Sequence, residues 1–229
     1  MPRRLTSKAI SAAKSVIPSQ LKGDKHVKKM IQDFAERSNL VYFGYVSQLS
    51  DEHKIVWGMT VSTKHRDHHY CIGTVNHYDV VFVERTDTIL TKHTHTWHIM
   101  DFDLKSTVDI PHMFIGSSRH GQGFHSLLKA KYPMMVPAEL GMTGRYVDDF
   151  THHYSIYVSA AKSVMAEQFI TPEIAQTIAK HFKGLVIEIT TDALYIYSEK
   201  PNLTPQLLDT MLTNGAWLAA AIDEKSQLI

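Results

Sequence analysis

The sequence predicts an α+β fold: N-terminal helices, an antiparallel meander sheet of five or six strands, and a C-terminal strand-helix-helix-strand-strand-helix unit. Three observations predict it. Apolar residues recur at helical spacing up to about residue 38. Between residues 40 and 117 the period shortens to two, in aromatic and β-branched runs broken by short polar loops. Beyond residue 145 the two periods alternate.

Thr6–Ile17 reads as an amphipathic helix, with Leu5, Ala9, Ala12 and Val16 on one face and Arg3, Arg4, Lys8 and Lys14 on the remaining arc. Pro18 ends it. A second helix is expected from Gly23–Asp24, with Asp24 as its N-cap and Val27, Met30, Ile31, Phe34 and Ala35 as its apolar stripe. The predicted strands are Leu40–Val46, Lys54–Val61, Tyr70–Val75, Tyr78–Arg85, Trp97–Leu104 and Met113–Ser117. The connections between the first five are short enough for hairpins.

Residues 119–144 hold Gly121, Gly123, Gly141, Gly144, Pro133 and Pro137, and read as an irregular linker or lid in which Phe124–Lys131 supplies a helical turn or two. Then come a strand at Tyr154–Val158, a helix at Ala160–Phe169, and a helix opened by Thr171–Pro172–Glu173 with Thr171 as cap. Leu185–Thr190 and Ala193–Tyr197 form a hairpin about Thr191–Asp192, and Thr204–Pro205 caps the last helix. The expected organisation is a basic helical segment at 1–38, a β-rich subdomain at 39–118, the linker at 119–144 and an α+β subdomain at 145–229, within one compact domain.

Composition excludes whole classes of protein. With 44% hydrophobic and 21% charged residues the chain is neither disordered nor fibrous. Its single cysteine, Cys71, permits no internal disulfide and suits a reducing compartment. No run reaches the roughly 18–20 apolar residues of a membrane span, and no secretory signal is evident, so a cytoplasmic location is expected. The formal charge of +1 conceals a split: residues 1–29 carry eight Lys or Arg and one acid, while the remainder carries a net charge of −6. A basic head on an acidic body suits an anionic membrane surface, an unidentified protein partner, or the body itself. Nucleic acid is disfavoured by the acidic body and the lack of a base-reading motif.

The stretch from about Val41 to Ile222 carries several recognisable segments: Val56–Trp57–Gly58, Pro111–Ile115, Asp149–Phe150 ahead of Tyr154–Ser155–Ile156–Tyr157, and Phe169–Ile170–Thr171–Pro172–Glu173. On these it resembles a family of uncharacterised bacterial proteins that share a domain of unknown function. Many members look membrane-anchored through apolar segments ahead of the domain. The resemblance implies a fold type and a membrane-proximal setting, and no reaction.

Fifteen histidines are the other outlying feature. His65, His68 and His69, beside Asp67, fall in one predicted loop. His93 and His95, near Asp87, fall in another, with His98 just beyond. A meander brings these loops to one end of the sheet. Convergence there would make a zinc site, and with an open coordination position a metal-dependent hydrolase. Mutual repulsion of imidazoles near pH ~6 would instead make a pH sensor. The plain alternative is a His-rich surface. Among the other candidates, Cys71 reads as a buried structural thiol, Gly121–Gln122–Gly123 as a linker, and Ser117 near His120 as no triad. The resulting expectation is a non-catalytic interaction domain with no cofactor and no assigned metal ligand, peripheral at a membrane through Arg3, Arg4, Lys8 and Lys14. The metal-dependent hydrolase is the alternative.

Overall fold

Near residue 40 the hydrophobic period changes, and there the chain passes from helix into sheet. The computed structural model describes residues 20–45, 56–58, 65–87, 95–117, 122–138, 145–199 and 203–228. The predicted helix at Thr6–Ile17 lies outside them, as do Arg3, Arg4, Lys8, Lys14 and His93. Helix α1 (Gln20–Arg37) leads into β1 (Val41–Gly44), β2 (Arg66–Val75), β3 (Tyr78–Asp87) and β4 (His95–Asp103). Next come β5 (Met113–Ser117), α2 (Gln122–Lys131), β6 (Met135–Pro137), α3 (Asp148–His153) and β7 (Tyr154–Ser159). A 3-10 turn at Ala160–Lys162 is followed by α4 (Ser163–Phe169), α5 (Pro172–His181), β8 (Val186–Ile189), β9 (Ala193–Glu199) and α6 (Pro205–Ser226).

The α+β class holds, but the sheet is larger than expected. Among the described residues it has nine strands in the order β1-β2-β3-β4-β9-β8-β5-β7-β6, with every neighbouring pair antiparallel. Only β1–β4 form a meander. The C-terminal strands extend the sheet instead of packing against it: β9 pairs with β4, and β5 is reached across β9 and β8. The reason is the composition of these strands. β8 and β9 are apolar at nearly every position, which is the pattern of a central strand buried on both faces.

Several local expectations need correction. Helix α1 is already running at Gln20, so Asp24 sits inside it and is not its cap. Residues 56–58, the described part of the predicted strand Lys54–Val61, pass over the sheet outside any strand. His68 and His69 lie within β2, not in a loop ahead of it. His152 and His153, just ahead of the predicted strand at Tyr154–Val158, end the short helix α3. Pairing with β7 turns Met135–Pro137, in the supposed linker, into an edge strand. Other local signals are met: Thr171 and Thr204 accept hydrogen bonds from the backbone N–H of Ile174 and Leu207 at the starts of α5 and α6.

The sheet's two faces bury different chemistry. On the first, Phe82, Met100, Phe102, Ile115, Ile187 and Ile196 lie in one apolar core with Ile31 and Phe34 of α1, Ile174 and Ile178 of α5, and Leu208, Met211 and Leu218 of α6. At Gly215 the backbone of α6 comes so close to the sheet that an added Cβ would sit 2.3 Å from the Phe102 ring. On the second face Trp97, Ile99, Phe114, Val186, Tyr195 and Tyr197 are covered by Phe124, Leu127 and Leu128 of α2, with Val56 beside them. This cover is partial, and the remaining space is a cleft.

A cleft on the second face of the sheet

Charged residues at second-face positions of the sheet build the site. Arg85 of β3 is fully buried. Its Nε and Nη2 donate to the two carboxylate oxygens of Asp67 at 2.7 and 2.6 Å, and Nη2 also donates to the Val56 carbonyl at 2.7 Å. The Tyr70 hydroxyl donates to Asp67 at 2.9 Å. Burial works to raise the Asp67 carboxyl, but the bonds and charge of Arg85 and the bond from Tyr70 outweigh it and hold the group below the usual Asp range. This fork ties residues 56–58 down as a strap. At the strap's other end the Lys131 ammonium, at the end of α2, donates to the Gly58 carbonyl at 3.0 Å.

Gly58 is required where it stands. Its φ is +110°, and an added Cβ would lie 2.2 Å from the Tyr197 hydroxyl and 3.2 Å from a Glu188 oxygen. Between the two tethers Trp57 is half-exposed, with 49% of its surface in solvent. Beneath the strap the Tyr197 hydroxyl donates to one oxygen of Glu188. His112, just ahead of β5, meets the other oxygen at 2.8 Å through Nε2. An ionised carboxylate only accepts, so the His112 proton belongs on Nε2. The His112 ring also lies 4.9 Å from Tyr132, edge to face, and 4.9 Å from Phe114.

Strand register lines up the floor. Asp101 of β4, Tyr195 of β9, Glu188 of β8 and Phe114 of β5 are successive cross-strand partners. Burial, then the like charges of Asp103, Glu188 and Asp192, push the Asp101 carboxyl well above the usual Asp range. Burial raises the Tyr195 hydroxyl first, with Asp101, Glu188 and Asp192 adding to it, and burial also raises Tyr132, so both phenols stay neutral donors. Two cavities open here. One, of about 370 Å³, is lined by Trp57, Lys131, Tyr132, Glu188, Asp192 and Tyr195 among others. The other, of about 380 Å³, lies toward Asp109, Ser159 and Lys162. His112, Thr190 and Asp192 line both, so the two are parts of one groove. Its far part is braced where Lys162 and Thr191 donate to the two Asp109 oxygens at 2.8 and 3.0 Å.

Among the described residues, the two predicted histidine groups do not merge. His65 precedes β2 and His95 begins β4, so they reach the same end of the sheet, but β3 runs between these strands. Two strand spacings separate them by roughly 10 Å at the backbone. His65 lies 3.9 Å from Asp67, and His95 is the cross-strand partner of Asp87. His69, at φ +58° in an irregular stretch of β2, shares a hydrogen bond with the Tyr42 hydroxyl, and His68 packs near Tyr45. His98 lies on the first face, buried against Glu84 at 3.1 Å. Among the described residues no three His, Cys, Asp or Glu side chains gather as a metal site. Burial pushes the Cys71 thiol up to about 12, which removes it as a nucleophile at neutral pH.

The residues that do converge include several the sequence reading passed over: Asp101, His112, Lys131, Glu188 and Tyr195. A signal for two of them was present. Glu188 is the lone acid of the apolar strand β8, where a charge is seldom buried without a partner, and Asp101 stands between Met100 and Phe102 in β4.

Among the described residues no helix is long and apolar enough to cross a membrane. No protein family matches the sequence, and no curated protein does. Among solved structures, the crystal structure of the mycobacterial trehalose monomycolate transport factor A, TtfA, resembles this chain with a TM-score of 0.57. The match covers 86% of this chain and 93% of that one, at 7% identity. At that identity the likeness is one of fold.

Proposed function

We propose that this chain is a non-catalytic binding domain held at an anionic membrane surface on the cytoplasmic side. Its basic N-terminus rests on lipid and its second-face cleft meets the ligand or protein partner. One observation carries the binding reading: the side chains of the groove best suited to chemistry are bonded to other protein groups. His112 and Tyr197 hold Glu188, Lys131 holds Gly58, and Lys162 holds Asp109. Such a wall is preorganised for recognition, with its polar groups already fixed in place.

The membrane part rests on charge. Lys25, Lys28 and Lys29 are exposed on α1, while Ile31, Phe34 and Ala35 of the same helix are buried in the body. The basic head therefore leads directly into a docked helix. The resemblance to an uncharacterised bacterial family with many membrane-anchored members supports the same setting, and we include membership of that family in the proposal. A fold shared with a mycobacterial transport factor supports handing a ligand on more than converting it.

Co-sedimentation with vesicles tests this. The full chain is expected to pellet with phosphatidylglycerol vesicles and not with phosphatidylcholine ones, and to be released by high salt. Basic residues near anionic lipid contribute about 1 kcal/mol each, so an R3E/R4E/K8E/K14E variant is expected to bind at least tenfold more weakly. Equal pelleting of the variant and the wild type would overturn the membrane role.

A further inference from the structure

We infer that the cleft between Trp57 and Asp192 is a binding site for a neutral, polyhydroxylated ring compound, that is, a sugar or the sugar head of a larger molecule. This rests on the binding-domain reading above and gives the site a ligand class. The inference starts from the shape of the lining. Trp57 offers a half-exposed indole, and Tyr132 and Tyr195 add two further aromatic rings to the same cavity. Flat aromatic surface suits a ligand with an apolar ring face.

Charge then narrows the class. Asp192 and Glu188 line the cavity, so an anion would be repelled. Lys131 lines it as well, with its ammonium 5.7 Å over the Tyr132 ring, so the aromatic wall already faces a cation. An organic cation would meet that charge. A neutral ligand meets neither penalty.

Hydrogen bonding narrows it again. With Nε2 of His112 engaged by Glu188, its Nδ1 is the ring's remaining polar atom, an acceptor in the neutral imidazole. Asp192 is an exposed carboxylate and accepts. The phenols of Tyr132 and Tyr195 stay protonated at any ordinary pH and donate. Donors and acceptors therefore stand beside aromatic rings in one cavity, and hydroxyl groups, which both donate and accept, satisfy both kinds at once. The cavity of about 370 Å³ lies at the small end of ligand pockets, which run from roughly 300 to 1,000 Å³. That suits one or two sugar rings.

The experiment is saturation-transfer NMR on the full chain with glucose, galactose, mannose, maltose and cellobiose, and tetramethylammonium as the cationic counter-probe. Transfer to the ring protons of at least one sugar is expected, at millimolar affinity or better. Trp57→Ala and Asp192→Ala are each expected to weaken binding by about tenfold or more, equivalent to ~1.4 kcal/mol. Trp57→Phe should keep most of the affinity, which separates a lost ring face from a lost strap. No transfer to any of the five sugars overturns the inference. So does sugar binding that Trp57→Ala leaves unchanged, or binding of tetramethylammonium in place of the sugars. Release of monosaccharide from maltose or cellobiose in the same tube would uphold the sugar class while overturning the non-catalytic reading.

Discussion

The two faces of one sheet are stabilised in different ways. The first face is mostly apolar and close-packed beneath α1, α5 and α6, with the Glu84–His98 pair its buried polar contact. The second carries Arg85, Asp67, Glu188 and Asp101 among its aromatic residues. An apolar face gains stability from area removed from water, which is non-directional and insensitive to pH. A buried ion pair is stable only while both partners are present and correctly charged. The helical face therefore acts as scaffold. The second face holds a cleft open at a cost in desolvation that its hydrogen bonds must offset.

Removing one partner of the Arg85–Asp67 fork gives the largest expected effect. Asp67→Asn leaves Arg85 as an uncompensated buried cation and is expected to destabilise the fold by about 3–5 kcal/mol, read by urea unfolding. The wild type shows the same weakness to acid. The Asp67 carboxyl is depressed in the folded state. Its contribution is therefore complete above the unfolded value, near 3.8, and is lost as pH falls through the lower folded value. Acid should loosen the second face first, changing Trp57 emission before the helical signal in circular dichroism falls. Simultaneous loss of the two signals would erase the distinction between the faces.

Gly58→Ala is a smaller break and acts at the strap itself. It places a side chain at positive φ and against Tyr197 and Glu188, at an expected cost of about 1–3 kcal/mol. A shift of Trp57 emission with little change in helical content is the expected signature. An unaltered Tm and spectrum would show that the strap does not rest on the Glu188–Tyr197 pair.

Asp101→Asn sharpens the comparison from the opposite direction. Here the folded-state carboxyl is raised, so its penalty grows as pH rises above the unfolded value. The amide is expected to raise Tm by a few degrees at pH ~8 and to make a much smaller difference near pH ~4, where only about half of the unfolded-state acid is ionised. A loss of stability at the higher pH would mean that Asp101 is ionised and paired.

Much of the fold was readable in order along the chain. The caps at Thr171 and Thr204, each followed by proline, start helices because a side-chain oxygen and a missing N–H suit the first turn whatever surrounds them. The Asn76–His77 turn closes the β2–β3 hairpin with both residues at positive φ. The segment 56–58 was harder, since the apolar run around it imitates a strand. It escapes the ladder because Arg85 and Lys131, distant in sequence, capture its carbonyls. The histidine cluster was misleading for a related reason. Closeness along the chain placed His65, His68 and His69 together, but strand alternation and the irregular stretch of β2 send their side chains to different neighbours.

By itself the sequence determined the α+β class, the starts of α5 and α6, the register-setting turn and the charge split between head and body, because each depends on neighbours a few residues away. The tertiary structure alone decided that the C-terminal strands enter the same sheet beside β4, and that Tyr195, Glu188 and His112 line one cavity with Trp57. Those contacts join residues up to about 140 positions apart, and long-range pairing is chosen by how apolar faces and buried charges are jointly satisfied, which no local pattern encodes.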